Sequence, residues 1–171
     1  MPRCLLTILV ALIALAGSET VRACDKFLLV GRGAKFRQAY AAIHPASIIV
    51  FTQPQQNAAK AMRDPRLQAD LKAAGHRIVF AEDEPSLARM LASDQVDVVL
   101  TDANDADRIA AEADASPSHP LLLPVMFHPS KDQIKAIEAR YKSGLTTSDR
   151  STRFLSAIDE AMKSRVPRRN K

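Results

Sequence analysis

Five apolar runs of strand length, alternating with helical patterns, constrain this chain more than any other feature. The runs are Phe27–Val30, Ser47–Thr52, Arg77–Ala81, Val96–Thr101 and Leu121–Phe127. They are continuous and rich in Val, Ile and Leu, with no alternation of polar and apolar residues. A strand with one wet face alternates; a strand covered by helices on both faces does not. Strands of this kind separated by helices imply a doubly wound, mostly parallel sheet with right-handed crossovers. The expected fold class is α/β, three layers around five strands.

The helices carry their own punctuation. Asp64-Pro65 reads as an N-cap followed by a first-turn proline, with Leu67 and Leu71 on one face and Gly75 as the stop. Pro85 opens the next helix behind Asp83 and Glu84, with Leu87 and Leu91 inward. Ser130 and Gln133 form a capping box ahead of an Ile134, Ile137, Tyr141 stripe, and Gly144 ends that helix. The last helix presents Phe154, Leu155, Ile158 and Met162 at core spacing. The segment Ser116–Pro124, with three prolines, reads as a loop before the fifth strand, and Ser143–Ser151 reads as a turn.

The N-terminus sets an address. Arg3, the apolar run Cys4–Ala16 and the small-residue exit Val21-Arg22-Ala23 have the form of a secretory signal peptide, residues 1–23. The apolar run is shorter than the roughly 20 residues a membrane-spanning helix needs. Cys24 follows the expected cleavage point and is the single thiol of the processed chain. It is also a lipidation candidate, with Arg22 and the polar stretch Gly17–Arg22 arguing for ordinary cleavage. The expected localisation is therefore periplasmic or secreted, with anchoring at Cys24 as the alternative. Residues 24–164 suffice for one domain with a full core.

Charge is unevenly spread. The formal net charge is +5, and losing Arg3, Arg22 and Glu19 leaves +4. Five positives sit at the C-terminus: Lys163, Arg165, Arg168, Arg169 and Lys171. Without them the body is near −1, so the basic character belongs to a tail, read from residue 165. Such a tail is a solvated end or a contact for anionic headgroups or an acidic partner. Nucleic acid is not expected, because the basic residues are not interleaved with aromatics.

Asp97-Val-Val-Leu-Thr-Asp102 is a buried-strand pattern that delivers an aspartate to a carboxyl edge. Together with the order and spacing of the elements from Ser47 to Lys163, it resembles the response-regulator receiver domains, a flavodoxin-like family. In that resemblance Asp102 stands where the phosphoacceptor would be. The family's Mg²⁺-binding acidic pair after the first strand is replaced by Thr52-Gln53-Pro54. Mg²⁺ needs hard oxygen ligands in near-octahedral geometry, so its site would be poor. The family's hydroxyl after the fourth strand falls near His128-Pro129, and its lysine has no counterpart. The resemblance therefore implies the frame without phosphotransfer, and kinases that phosphorylate receivers work where ATP is, not outside the cytoplasm. With the receiver's fifth strand read as absent, Phe27–Val30 is expected to fill the slot beside Leu121–Phe127.

Other constellations are weaker. Gly31, Arg32, Gly33 and Lys35 follow a strand and precede a helical stretch, a candidate anion site or simply a tight turn. His44, His76, His119 and His128 have no helical ligand spacing, and neither a metal nor a cofactor is expected. No nucleophile elbow occurs, and no catalytic residue is assigned. Asp102, Asn104, Asp105 and Asp107 form an acidic cluster, read mainly as capping for a helix over Asp105–Ala113. The candidate site is the carboxyl edge, with Asp102, Thr52, Gln53, His128 and Asp105. The expected function is a non-enzymatic interaction module with a protein partner in the cell envelope. The alternative is a small-ligand binding protein using the same crevice.

Overall fold

A computed structural model of the protein describes residues 41–92, 95–141 and 143–169, with side chains as far as Arg165. The signal-like segment, Cys24, the Phe27–Val30 run and Gly31, Arg32, Gly33 and Lys35 lie outside the described residues. The strands are β1 (Ser47–Phe51), β2 (Arg77–Ala81), β3 (Val98–Asp102), β4 (Leu121–Met126) and β5 (Leu145–Thr146). The helices are α1 (Ala59–Met62), α2 (Pro65–Ala73), α3 (Glu84–Ala92), α4 (Ala106–Ala115), α5 (Lys131–Tyr141) and α6 (Ser151–Arg169).

The five strands form one sheet in the order β2-β1-β3-β4-β5, and every pairing is parallel. This is the doubly wound, flavodoxin-like arrangement. Successive residues of β1 serve opposite faces, which is why the run is apolar throughout. Ile48 and Val50 join a core with Met62 of α1, Leu67 and Leu71 of α2, and Phe154, Leu155, Ile158 and Met162 of α6. Ile49 and Phe51 join the other core with Leu87 and Leu91 of α3 and Ile109 of α4. Each fully buried Leu, Ile or Phe contributes about 1.5–3 kcal/mol. Two closed cores flanking one sheet make the three layers.

Local signals account for the helix ends. Asp64 accepts a hydrogen bond from the N–H of Arg66 at 2.8 Å, and Pro65 begins α2. At the other end Gly75 takes φ +97, with its N–H on Lys72 O (2.9 Å) and that of His76 on Leu71 O (3.1 Å). This is a Schellman closure, and a side chain at Gly75 would be strained. Ser130 and Gln133 exchange side-chain and backbone hydrogen bonds as a capping box, at 2.8 and 3.2 Å. The Ile134, Ile137, Tyr141 stripe of α5 is only half-buried.

Two expectations are corrected at the sheet edge. Ser143–Ser151 is not all turn: Leu145 and Thr146 pair with Val125 and Met126 as β5. That strand takes the slot beside β4 expected for Phe27–Val30. Two residues are too few to announce a strand by pattern, and burial decides here: Leu145 is fully buried in the core that holds α6. Gly144 permits the approach, since a Cβ there would lie 2.8 Å from Met126 Cε and 3.1 Å from Ile137 Cγ2. Pro124, mid-strand in β4, loses no ladder bond to β3. Leu121 N–H and Val125 C=O bond toward β3, so Pro124, out of phase with both, faces the β5 side.

The C-terminal boundary also moves. α6 continues to Arg169, and Arg165 belongs to the fold, not to a solvated tail. Its guanidinium donates to the carbonyls of His119 (2.7 Å), Val96 (3.2 Å), Asp97 (3.3 Å) and Ser118, and its Nε lies 3.3 Å from Asp97 Oδ1. Asp97 in turn accepts from Ser47 N–H at 2.9 Å. One arginine thus ties α6 to the amino ends of β1 and β3 and to the loop before β4. A planar fork suits this role, and a lysine could not reach so many acceptors.

Candidate functional site

In sheets of this order the chain leaves β1 toward one face and β3 toward the other, which opens a crevice between their carboxyl ends. Here β1 leads to α1 and α2, and β3 leads to α4 on the opposite face. Thr52 and Gln53 therefore face Asp102 and Asp105 across that crevice. His128 follows β4, the neighbour of β3. All five expected site residues lie at this carboxyl edge, but they do not form one constellation.

Asp102 ends β3 and is 3% exposed. Its Oδ1 accepts from the backbone N–H of Asn104 and from the Asn104 side-chain amide, both at 2.9 Å. Its Oδ2 accepts from Ala58 N–H at 3.4 Å, from the segment that enters α1. The carboxylate thereby shapes its own loop and binds the β1 side to the β3 side. Neither Asp102 nor Asn104 caps α4 as expected. The N-cap of α4 is Asp105, without a side-chain cap, because Asp102 is drawn inward by Ala58 and Asn104 is held against Asp102.

A second bridge lies above the first. Gln56 accepts from Gln53 N–H at 2.9 Å through Oε1 and donates through Nε2 to Asp105. The other oxygen of Asp105 receives Arg108 at 2.9 Å, and Arg108 also pairs with Glu84 of α3 and lies 5.8 Å over the Phe51 ring. The hydrogen bond to Asp105 raises the pKa of Arg108 above the ordinary arginine value, against the opposing effect of burial. Thr52 is fully buried, and its hydroxyl turns to Gln53 O at 3.4 Å. The crevice is spanned from both sides by the chain's own hydrogen bonds. Among the described residues no group of three His, Cys, Asp or Glu is placed to hold a metal ion.

His128 belongs to different surroundings. It takes φ +44, uncommon for a residue with a Cβ, and Pro129 follows it. The kink sets Phe127 outward, 48% exposed, with its ring edge-on to the His128 ring at 4.3 Å between centroids. The two rings form part of the lining of an open groove of about 790 Å³ beyond the ends of β4 and β5. Lys60 of α1 and Arg66 of α2 line the same groove, with Thr147 after β5. Arg63, also in the lining, is engaged elsewhere: it pairs with Glu82 at 3.1 Å and lies over Phe80 at 5.5 Å.

Sequence reasoning missed Gln56, Arg108, Lys60 and Arg66. Gln56 lies in a polar loop with no motif, and α1 is only four residues long, too short for a periodic pattern. Arg108 and Glu84 become neighbours only when α3 and α4 pack side by side. No described helix is long and apolar enough to cross a membrane. Compared with family models, with curated proteins and with solved structures, the chain finds no match.

Proposed function

We propose that this chain is an exported, non-enzymatic interaction module built on a receiver-like frame. The observation that carries the reading is the state of Asp102. The aspartate at the end of β3 is buried, and its oxygens already accept hydrogen bonds, two from Asn104 at 2.9 Å and one from Ala58 N–H at 3.4 Å. A nucleophilic carboxylate needs a free oxygen and a neutralised approach path for a phosphoryl group. Around Asp102 stand Thr52 and Gln53 in place of an acidic pair, and β5 runs into Thr146-Thr147 with no lysine. The Gln56–Asp105 bridge across the crevice speaks against a ligand bound at the switch point, the second reading of this fold. An open groove with an outward Phe127 suits a protein surface better than an enclosed ligand.

Export rests on the N-terminal signal-like pattern alone. Intact mass of the protein from its native cell tests that part: a chain beginning at Cys24 with an unmodified thiol supports it. The interaction reading is tested by photo-crosslinking from position 104 in the native envelope. One discrete protein adduct is expected, in equal yield from wild type and Asp102→Asn. An adduct lost in Asp102→Asn, or a small molecule that co-purifies stoichiometrically, contradicts the reading.

A further inference from the structure

The groove beyond β4 and β5 combines an exposed aromatic with three cations and a single carboxylate. Lys60 and Arg66 make no side-chain hydrogen bond or ion pair among the described residues, whereas Arg63 beside them pairs with Glu82. Asp64, the groove's carboxylate, accepts from the Arg66 backbone N–H as the α2 cap. With Lys60, Arg63 and Arg66 against Asp64, the groove is net positive. Phe127 stands in this positive surround at 48% exposure, with the His128 ring edge-on to it at 4.3 Å.

Resting on the interaction reading above, we propose that this groove docks an acidic segment of a partner protein carrying an apolar side chain. The apolar side chain packs against Phe127 and the His128 ring, and flanking carboxylates meet Lys60 and Arg66. Charge complementarity argues for this occupant: a basic or neutral segment would leave two cations facing the contact without counter-charge. Thr147, which also lines the groove, supplies a hydroxyl for the segment's backbone. Aromatic anchors bordered by charges are the usual centre of such contacts.

The test uses the full processed chain and two labelled peptides, Glu-Glu-Leu-Phe-Glu-Glu and Lys-Lys-Leu-Phe-Lys-Lys, with fluorescence anisotropy and amide chemical-shift mapping. The acidic peptide is expected to bind at least tenfold more tightly than the basic one, with shifts at Lys60, Arg66, Phe127 and His128. Lys60→Glu with Arg66→Glu is expected to weaken it at least tenfold and Phe127→Ala at least threefold, while Lys135→Glu on α5 leaves it unchanged. Equal binding of both peptides, shifts centred elsewhere, or binding unaffected by the double reversal overturns the proposal. Anionic vesicles that bind through the same residues while the acidic peptide does not would also overturn it, in favour of a lipid surface. If the peptide fails but the crosslink from position 104 persists in the double reversal, the groove falls and the interaction reading stands. If neither is seen, both fall.

Discussion

Asp102 Oδ1 receives two hydrogen bonds from Asn104, one from its backbone and one from its side chain, each at 2.9 Å. The aspartate is thereby a structural tie, since Ala58 N–H bonds its other oxygen at 3.4 Å. Asp102→Ala leaves the buried N–H of Ala58 and that of Asn104 without acceptors and is expected to cost about 2–4 kcal/mol. Asn104→Ala removes one donor and keeps the backbone bond, for a cost of about 1 kcal/mol. Urea unfolding of both variants checks the ranking. An Asp102→Ala loss no larger than that of Asn104→Ala contradicts it.

Arg165 closes the opposite end of the sheet. Its side chain and that of Asp97 are 12% and 7% exposed, so their attraction is little screened by solvent. Removing one partner of a pair this buried leaves a charge uncompensated, and Arg165→Ala is expected to lose about 3–5 kcal/mol. Arg165→Lys keeps the charge without the fork and should recover less than half of that loss. A chain ending at residue 164 should unfold as readily as Arg165→Ala. A stable 24–164 fragment would restore the tail reading.

His76 links stability to pH. Burial lowers its pKa below the usual 6.5, and the charge of Asp159 opposes the shift less strongly. Its Nδ1 accepts the N–H of Ala46 at 3.1 Å, a bond that requires this nitrogen to be unprotonated. The unfolded chain therefore binds a proton more readily than the folded one. The histidine's contribution is fully present above pH 6.5 and is lost as pH falls below that value through the folded pKa. Urea midpoints should fall between pH 7.5 and 5.5 in the wild type and by clearly less in His76→Asn. Equal slopes for the two proteins would rule His76 out as the cause.

Tyr141 should titrate late. Burial, then the hydrogen bond and charge of Asp107, raise its pKa from 10 to about 12. The same bond holds Asp107 below the ordinary carboxylate range, with Arg140 2.6 Å away helping. In a Tyr40→Phe background Tyr141 is the one tyrosine, so absorbance near 295 nm reports it alone. A midpoint close to 12 is expected, falling toward 10 in Asp107→Asn. Stability contributed by this contact is complete below pH 10 and lost between pH 10 and 12. A wild-type midpoint at 10 would show that the α4–α5 contact does not form.

The layers were legible because buried parallel strands must be apolar on both faces, and β1 to β4 all carry that signature. The caps at Asp64, Gly75 and Ser130 were legible because their bonding is local. Leu145–Thr146 was not, since its burial depends on Gly144, Met126 and α6 meeting in space. The carboxyl edge was legible as a place, through Asp102 and Thr52, but not as a network. Gln56 and Asp105 lie 49 positions apart, and no local pattern announces their bond. Arg165 was not legible for the same reason: four of its acceptors are backbone carbonyls, and Asp97 lies 68 positions away.

The most direct measurement is exposure of the purified chain to beryllofluoride and Mg²⁺, followed by ¹⁹F NMR and by amide shifts of Asp102 and its neighbours. The bonds to Asn104 and Ala58, together with Thr52-Gln53 in place of an acidic pair, predict no bound fluorine resonance and no shift at residues 102–105. A stoichiometric adduct at Asp102, with Mg²⁺-dependent shifts along 52–58 and 102–105, would contradict the account.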